Sequence, residues 1–135
     1  MPEKFTTRLR VYYEDTDAGG VVYHPNYLSF MLRARTEWIR SLPETLAEAL
    51  HTVAIVVKAV SIDYAAPAYL DDELLVTSQL RIFKPVSALF FHEIYRYNTS
   101  RRLCTAEIKV GCLGRETKSI CPWPHYEELR ALFAI

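Results

Sequence analysis

Residues 13–24 read YEDTDAGGVVYH, and within these twelve positions Tyr13, Glu14, Asp15, Asp17 and His24 all carry groups able to do chemistry. A carboxylate in such a run can act on water as a general base or attack a carbonyl directly. Gly19 and Gly20 let the chain bend tightly and bring backbone close to a ligand. Pro25 suits the first position of a helix, which makes His24 its N-cap residue. A helix start leaves N–H groups unpaired and carries the positive end of the macrodipole, a setting that suits an oxyanion on an attacked carbonyl. Proline has no N–H, so the donors there are His24, Asn26 and Tyr27. A second reading stands beside this one: Asp15 and Asp17 cap turns, and His24 caps the helix. The segment alone leaves both open.

The elements that must hold these residues follow from periodicity. Residues 5–13 alternate, with Leu9, Val11 and Tyr13 on one side and Arg8, Arg10 and Tyr12 on the other, as a strand with one wet face does. A helix is predicted over 25–42, with Tyr27, Met31, Ala34 and Trp38 on one stripe that Leu28 and Phe30 widen. A short helical piece follows at 43–50. Strands are predicted at 53–66, 72–83, 87–98 and 101–113, separated by short turn sequences, and a closing helix at 122–133. The fold class is α+β: one long helix packed on a highly twisted antiparallel sheet of about five strands, in a single domain spanning 1–135. One helix cannot cover both faces of such a sheet, so self-association through an edge or an open face is expected.

Composition narrows the classes of function. Sixteen basic and sixteen acidic residues cancel, which argues against nucleic acid as a partner. No apolar run approaches membrane length and no leader is evident, so the chain is expected not to be integral to a membrane. Cys104, Cys112 and Cys121 lack any CxxC spacing and read as small buried hydrophobes in a reduced, cytoplasmic setting. His51, His92 and His125 have no ligand spacing, so no metal site is expected. Glu37 reads as the partner of Arg33 in an i,i+4 pair.

The run 10–38, RVYYEDTDAGGVVYHPNYLSFMLRARTEW, resembles the signature of the YbgC-type branch of the 4-hydroxybenzoyl-CoA thioesterase family, which has the hotdog fold. Arg10-Val11, Thr16-Asp17, Gly20-Val21-Val22, Tyr23-His24 through Tyr27 and Arg33-Ala34-Arg35 carry the match. Pro67-Ala68 and Asp71-Asp72 extend it more loosely. The resemblance implies hydrolysis of acyl-CoA or acyl-carrier-protein thioesters without a metal, a serine nucleophile or a cofactor, coenzyme A being part of the substrate. It makes Asp17 the catalytic carboxylate, accompanied by Tyr13 and His24, and leaves Asp15 a structural turn residue. His24 and Gly20 are the expected backbone oxyanion donors, and Tyr23 and Tyr27 substrate contacts. Lys84 and Arg102, at turns beside long strands, are further candidates for binding the phosphates of coenzyme A. A homodimer assembling to a homotetramer is implied. Two other functions compete: a hotdog hydroxyacyl dehydratase, and a non-catalytic acyl-binding or scaffold protein.

Overall fold

The computed structural model describes residues 4–134. Its five strands, β1 (Phe5–Arg10), β2 (Val53–Tyr64), β3 (Glu73–Phe83), β4 (Ser87–Arg96) and β5 (Arg102–Gly114), form one antiparallel sheet in the order β1-β3-β4-β5-β2. Three helices accompany it: α1 (Asn26–Arg40), α2 (Glu44–Leu50) and α3 (Tyr126–Phe133). This is the layer arrangement implied by the resemblance.

Register shows why one face of the sheet is the core. Cross-strand partners share a face, and the rows Val76–Ile94–Cys104, Ser78–His92–Ala106 and Leu80–Phe90–Ile108 are all buried. Helix α1 lays Tyr27, Phe30, Met31, Ala34 and Trp38 against this face, the stripe that periodicity predicts. Trp38 meets Phe90 edge-on at 5.3 Å, and Phe133 of α3 closes over it at 5.2 Å. Burial of these large side chains is the main stabilising term of such a layer.

Strand β2 is an edge, and its pairing with β5 slips once, between Val57 and Ala59. The slip keeps Ile55, Val57, Val60, Ile62 and Tyr64 on one face, opposite the buried Cys112, Val110, Ile108, Ala106 and Cys104. Without it the apolar row would change sides halfway along the strand. Four of these side chains nevertheless stay exposed: Ile55, Val57, Val60 and Tyr64.

The closing helix α3 begins at Tyr126 rather than 122, and two boundaries beside the acidic segment also differ from expectation. Strand β1 stops at Arg10 rather than continuing to residue 13, because Tyr12 opens a 3₁₀ turn over Tyr13–Asp15. Val11 still points inward and is fully buried, but Tyr13 is turned out and 81% exposed. Helix α1 begins at Asn26, so Pro25 and not His24 occupies the N-cap position, a shift of one residue.

Candidate active site

The segment 15–23 is a small hairpin. Thr16 bridges Val22, the Asp17 N–H donates to the Val21 carbonyl at 2.9 Å, and the Tyr23 N–H donates to the Asp15 carbonyl at 2.8 Å. At its tip the Gly20 N–H closes a turn on the Asp17 carbonyl at 3.0 Å, with Gly20 at φ +81°. A three-residue loop ending in a left-handed residue is a common hairpin closure, and glycine meets its demand without strain. The 68–69 segment ties this hairpin to α1: the Ala68 carbonyl accepts the Val22 N–H, while the Ala68 N–H donates to the Tyr27 hydroxyl at 3.0 Å.

The two aspartates differ sharply. Asp15 is 3% exposed; its Oδ2 accepts the Tyr12 N–H at 2.9 Å and its Oδ1 accepts Asn26 Nδ2 at 3.0 Å. It closes the 3₁₀ turn and ties it to the first residue of α1. Asp17 is exposed, with Oδ1 accepting the Gly19 N–H at 2.8 Å. Among the described residues no donor reaches its Oδ2, which leaves half of the carboxylate free for a ligand or water.

The expected donor set shrinks on inspection. The Gly20 N–H is spent on the Asp17 carbonyl, and the Asn26 N–H on the Tyr23 carbonyl at 2.8 Å. Neither is left for an oxyanion. Among the described residues the N–H groups of His24 and Tyr27 have no backbone acceptor, so these two remain at the helix start.

His24 is exposed, and its ring stands edge-on to Tyr23 at 5.2 Å and to Tyr64 at 6.2 Å. The Tyr64 hydroxyl donates to the His24 carbonyl at 3.0 Å. Tyr64 is a residue that sequence reasoning passed over; the alternation Val60, Ile62, Tyr64 at the end of β2 was the available signal. Tyr23 is half exposed at the mouth. Tyr27 instead lies within the core, its hydroxyl occupied by Ala68 and its pKa raised chiefly by burial. It packs the site from below and offers a ligand little surface within one chain. Tyr13 has its ring in solvent and no described contact with Asp17 or His24.

The two phosphate candidates do not converge. Lys84 precedes β4, whereas Arg102 pairs with Tyr95 near its far end. Some eight residues of strand between Ser87 and Tyr95 separate the two ends by about 26 Å. Arg102 lies at the Tyr64 end, the end of the hairpin, but its guanidinium is held at 3.1 Å by Glu93 on the opposite face of the sheet. Lys84 lies at the other end.

Other nucleophiles and ligands recede. Burial pushes the Cys104 and Cys112 thiols up to about 12, so neither is a ready thiolate. Glu37 pairs with Arg40 at 2.7 Å rather than with Arg33. Among the described residues no three His, Cys, Asp or Glu side chains gather as metal ligands, and no helix is long and apolar enough to cross a membrane.

An antiparallel sheet with one long helix on its buried face, and an acidic hairpin at the start of that helix, defines an α+β architecture with a candidate site at the helix start. The family model described as "Thioesterase-like superfamily" matches residues 11–133, and the chain belongs to this family. It is 42% identical over 132 residues to "Acyl-CoA thioesterase YbgC" of Haemophilus influenzae, covering 96% of this chain and 93% of that one. It is 35% identical over 122 residues to the Helicobacter pylori protein of the same name, covering 83% and 88%. Among solved structures, a 1,4-dihydroxy-2-naphthoyl-CoA thioesterase from Synechocystis superposes with a TM-score of 0.79 at 26% identity, over 93% of both chains.

Proposed function

We infer that this chain hydrolyses acyl-CoA thioesters to a free acid and coenzyme A, with Asp17 as the reacting carboxylate. The observation that carries the assignment is the state of that carboxylate: exposed at a hairpin tip, one oxygen held by the Gly19 N–H and the other with no donor among the described residues. The thioester carbonyl oxygen sits at the start of α1, where the His24 and Tyr27 N–H groups and the helix dipole take up its developing charge. Asp17 either draws a proton from water as that water adds to the carbonyl carbon, or adds directly to form an acyl anhydride that water then opens. In both routes the C–S bond breaks, the thiolate leaves, and a proton taken up by the thiolate restores the balance. The His24 ring, framed by Tyr23 and Tyr64, positions the substrate, and Tyr13 stands at the rim.

The mechanism uses no metal or organic cofactor, and acyl carrier protein can replace coenzyme A as the carrier. The reading takes 1–135 as one domain and the cytoplasm as its location, in keeping with three free thiols. The 12-residue β2 edge, with Ile55, Val57, Val60 and Tyr64 exposed, supports a homodimer that assembles to a homotetramer. Sedimentation of wild type against Val57→Asp tests that assembly.

Thiol release from a panel of acyl-CoAs tests the activity, with hydration of crotonyl-CoA run alongside. Thiol release that is lost in Asp17→Asn supports the reading; hydration without thiol release would make the protein a dehydratase, and silence in both would make it a binder. A single turnover in heavy-oxygen water tests for the anhydride: water that opens it at the Asp17 carbonyl leaves label on Asp17, which the general-base route never does.

A further inference from the structure

A second feature lies further along α1. Between that helix, the Val53 end of β2 and α3 opens a cavity of about 310 Å³, lined by Leu32, Trp38, Phe90, Phe133 and other apolar side chains. That volume is at the small end of ligand pockets. Arg35 also lines it, although this residue is only 6% exposed. Its Nη1 lies 3.1 Å from His92 Nε2, and His92 Nδ1 lies 3.0 Å from Ser78 Oγ and 3.3 Å from the Thr77 carbonyl. Burial, reinforced by the Arg35 charge, holds the His92 pKa down to about 3. The imidazole is therefore neutral, and its Nε2 accepts from the guanidinium.

That contact uses one of five guanidinium N–H groups. Burial is the one influence that shifts the Arg35 pKa, and it lowers it to about 10; no carboxylate compensates. None of its nitrogens is both fully buried and unpaired among the described residues, and Arg35 is one of the residues that line the cavity. The residues lining that cavity include no Asp or Glu, and a second cation, Arg115, stands among them. A buried charge without a partner is costly, and here it borders an empty apolar space. Nothing in the thioester chemistry at Asp17 uses it.

We propose that this cavity receives the far end of an acyl group that carries a carboxylate, and that Arg35 is the residue selecting such ω-carboxyl acyl thioesters over plain aliphatic ones. The inference rests on the reading of the helix start as the reaction centre. Arg35 is nine residues beyond Asn26, about 13 Å along the helix axis, and its side chain leans back toward the helix start. Leu32, one turn nearer that start, lines the same cavity. An acyl chain held by its carbonyl at His24 and laid along α1 brings its far terminus to the guanidinium.

The comparison that tests this is suberyl-CoA against octanoyl-CoA, which differ only at the far end. Wild type is expected to favour suberyl-CoA at least tenfold in kcat/KM, and Arg35→Met to erase that preference. Arg35→Lys, which keeps the charge but loses the fork, is expected to fall between them and serves if the Met variant does not fold. The chain's two tryptophans, Trp38 and Trp123, both line the cavity, so their fluorescence reads occupancy without turnover. A non-hydrolysable thioether of coenzyme A ending in a carboxylate should shift that emission at lower concentration than one ending in a methyl. Equal kcat/KM on both thioesters, unmoved by Arg35→Met, would overturn the inference and leave the thioesterase reading standing. No hydrolysis of either thioester, with the carboxylate-ended thioether still preferred, would sustain the cavity's selectivity and remove the reaction assigned to Asp17.

Discussion

The base and the tip of the 15–23 hairpin are two residues apart in sequence and opposite in character. At the base, Asp15 is buried and each of its oxygens accepts a hydrogen bond, from the Tyr12 N–H and from Asn26 Nδ2. At the tip, Asp17 is exposed and, among the described residues, accepts only from the Gly19 N–H. A buried carboxylate with both oxygens hydrogen-bonded is part of the fold; an exposed one with an oxygen to spare is available to a substrate. The contrast extends to His92, fully buried in the centre of the sheet, and His24, exposed at the helix start. In both pairs the buried group is tied into the frame, and the exposed one is open to a ligand.

The largest effect is expected at the tip. Asp17→Asn keeps an oxygen for the Gly19 N–H, so the thermal midpoint should not move, while kcat on acyl-CoA falls by about 10²–10⁴-fold. Turnover within a few-fold of wild type would erase the distinction between the two aspartates.

The interior is probed next, through pH. His92 has its pKa lowered to about 3 in the folded protein, against about 6.5 for an unperturbed histidine. Between these values the unfolded chain takes up a proton that the folded one refuses, so stability is lost as pH falls through this window. The slope from this one group approaches about 1.4 kcal/mol per pH unit. Urea unfolding from pH 7 down to pH 4 measures it, and His92→Gln should flatten the curve by that amount while lowering stability at pH 7. An unchanged slope in the variant would mean that His92 is not held neutral.

At the base of the hairpin the same chemical change as at the tip should act on stability instead. Asp15→Asn leaves its new amide facing a donor, either the Tyr12 N–H or Asn26 Nδ2, and so costs about 1–3 kcal/mol. Denaturation midpoints of the Asp15→Asn and Asp17→Asn proteins, measured side by side, should separate by that amount. Equal midpoints would show that the hydrogen bonds of Asp15 do not hold the turn.

How much of this was legible in the sequence depends on the kind of signal. The stripe from Tyr27 to Trp38 and the alternation of β2 to β5 repeat at fixed periods, so the layers could be read directly. The early end of β1 could not, because it depends on the Asp15 carboxylate turning back on the Tyr12 N–H, a choice no periodicity encodes. The carboxylates and His24 were visible as residue types. Which N–H groups stay open was not, since Gly20 and Asn26 each lose theirs to the carbonyl three residues earlier, that of Asp17 and that of Tyr23. Lys84 and Arg102 look alike as turn cations but flank the strand predicted at 87–98, so their separation was legible, whereas the hold of Glu93 on Arg102 was not. Tyr64 and Arg35 were hidden for a related reason: an alternating strand and an amphipathic helix name their faces, but not the polar atom each face delivers.

The finest test of the hairpin uses its two adjacent glycines. A Cβ at Gly20 would meet nothing within 4 Å, but the residue sits at φ +81°. Gly20→Ala therefore touches no side chain and costs only left-handed backbone strain, about 1 kcal/mol. A Cβ at Gly19 carries no such φ and would stand 3.2 Å from Asp17 Oδ1, close enough to push the carboxylate by a few tenths of an ångström. Gly19→Ala should thus leave the denaturation midpoint nearly in place and lower kcat a few-fold, while Gly20→Ala lowers the midpoint and changes kcat less. If the two variants behaved alike in both measurements, the geometry of the tip would not be tuned to the Asp17 carboxylate, and the division between frame and reacting group would have to be redrawn closer to the helix.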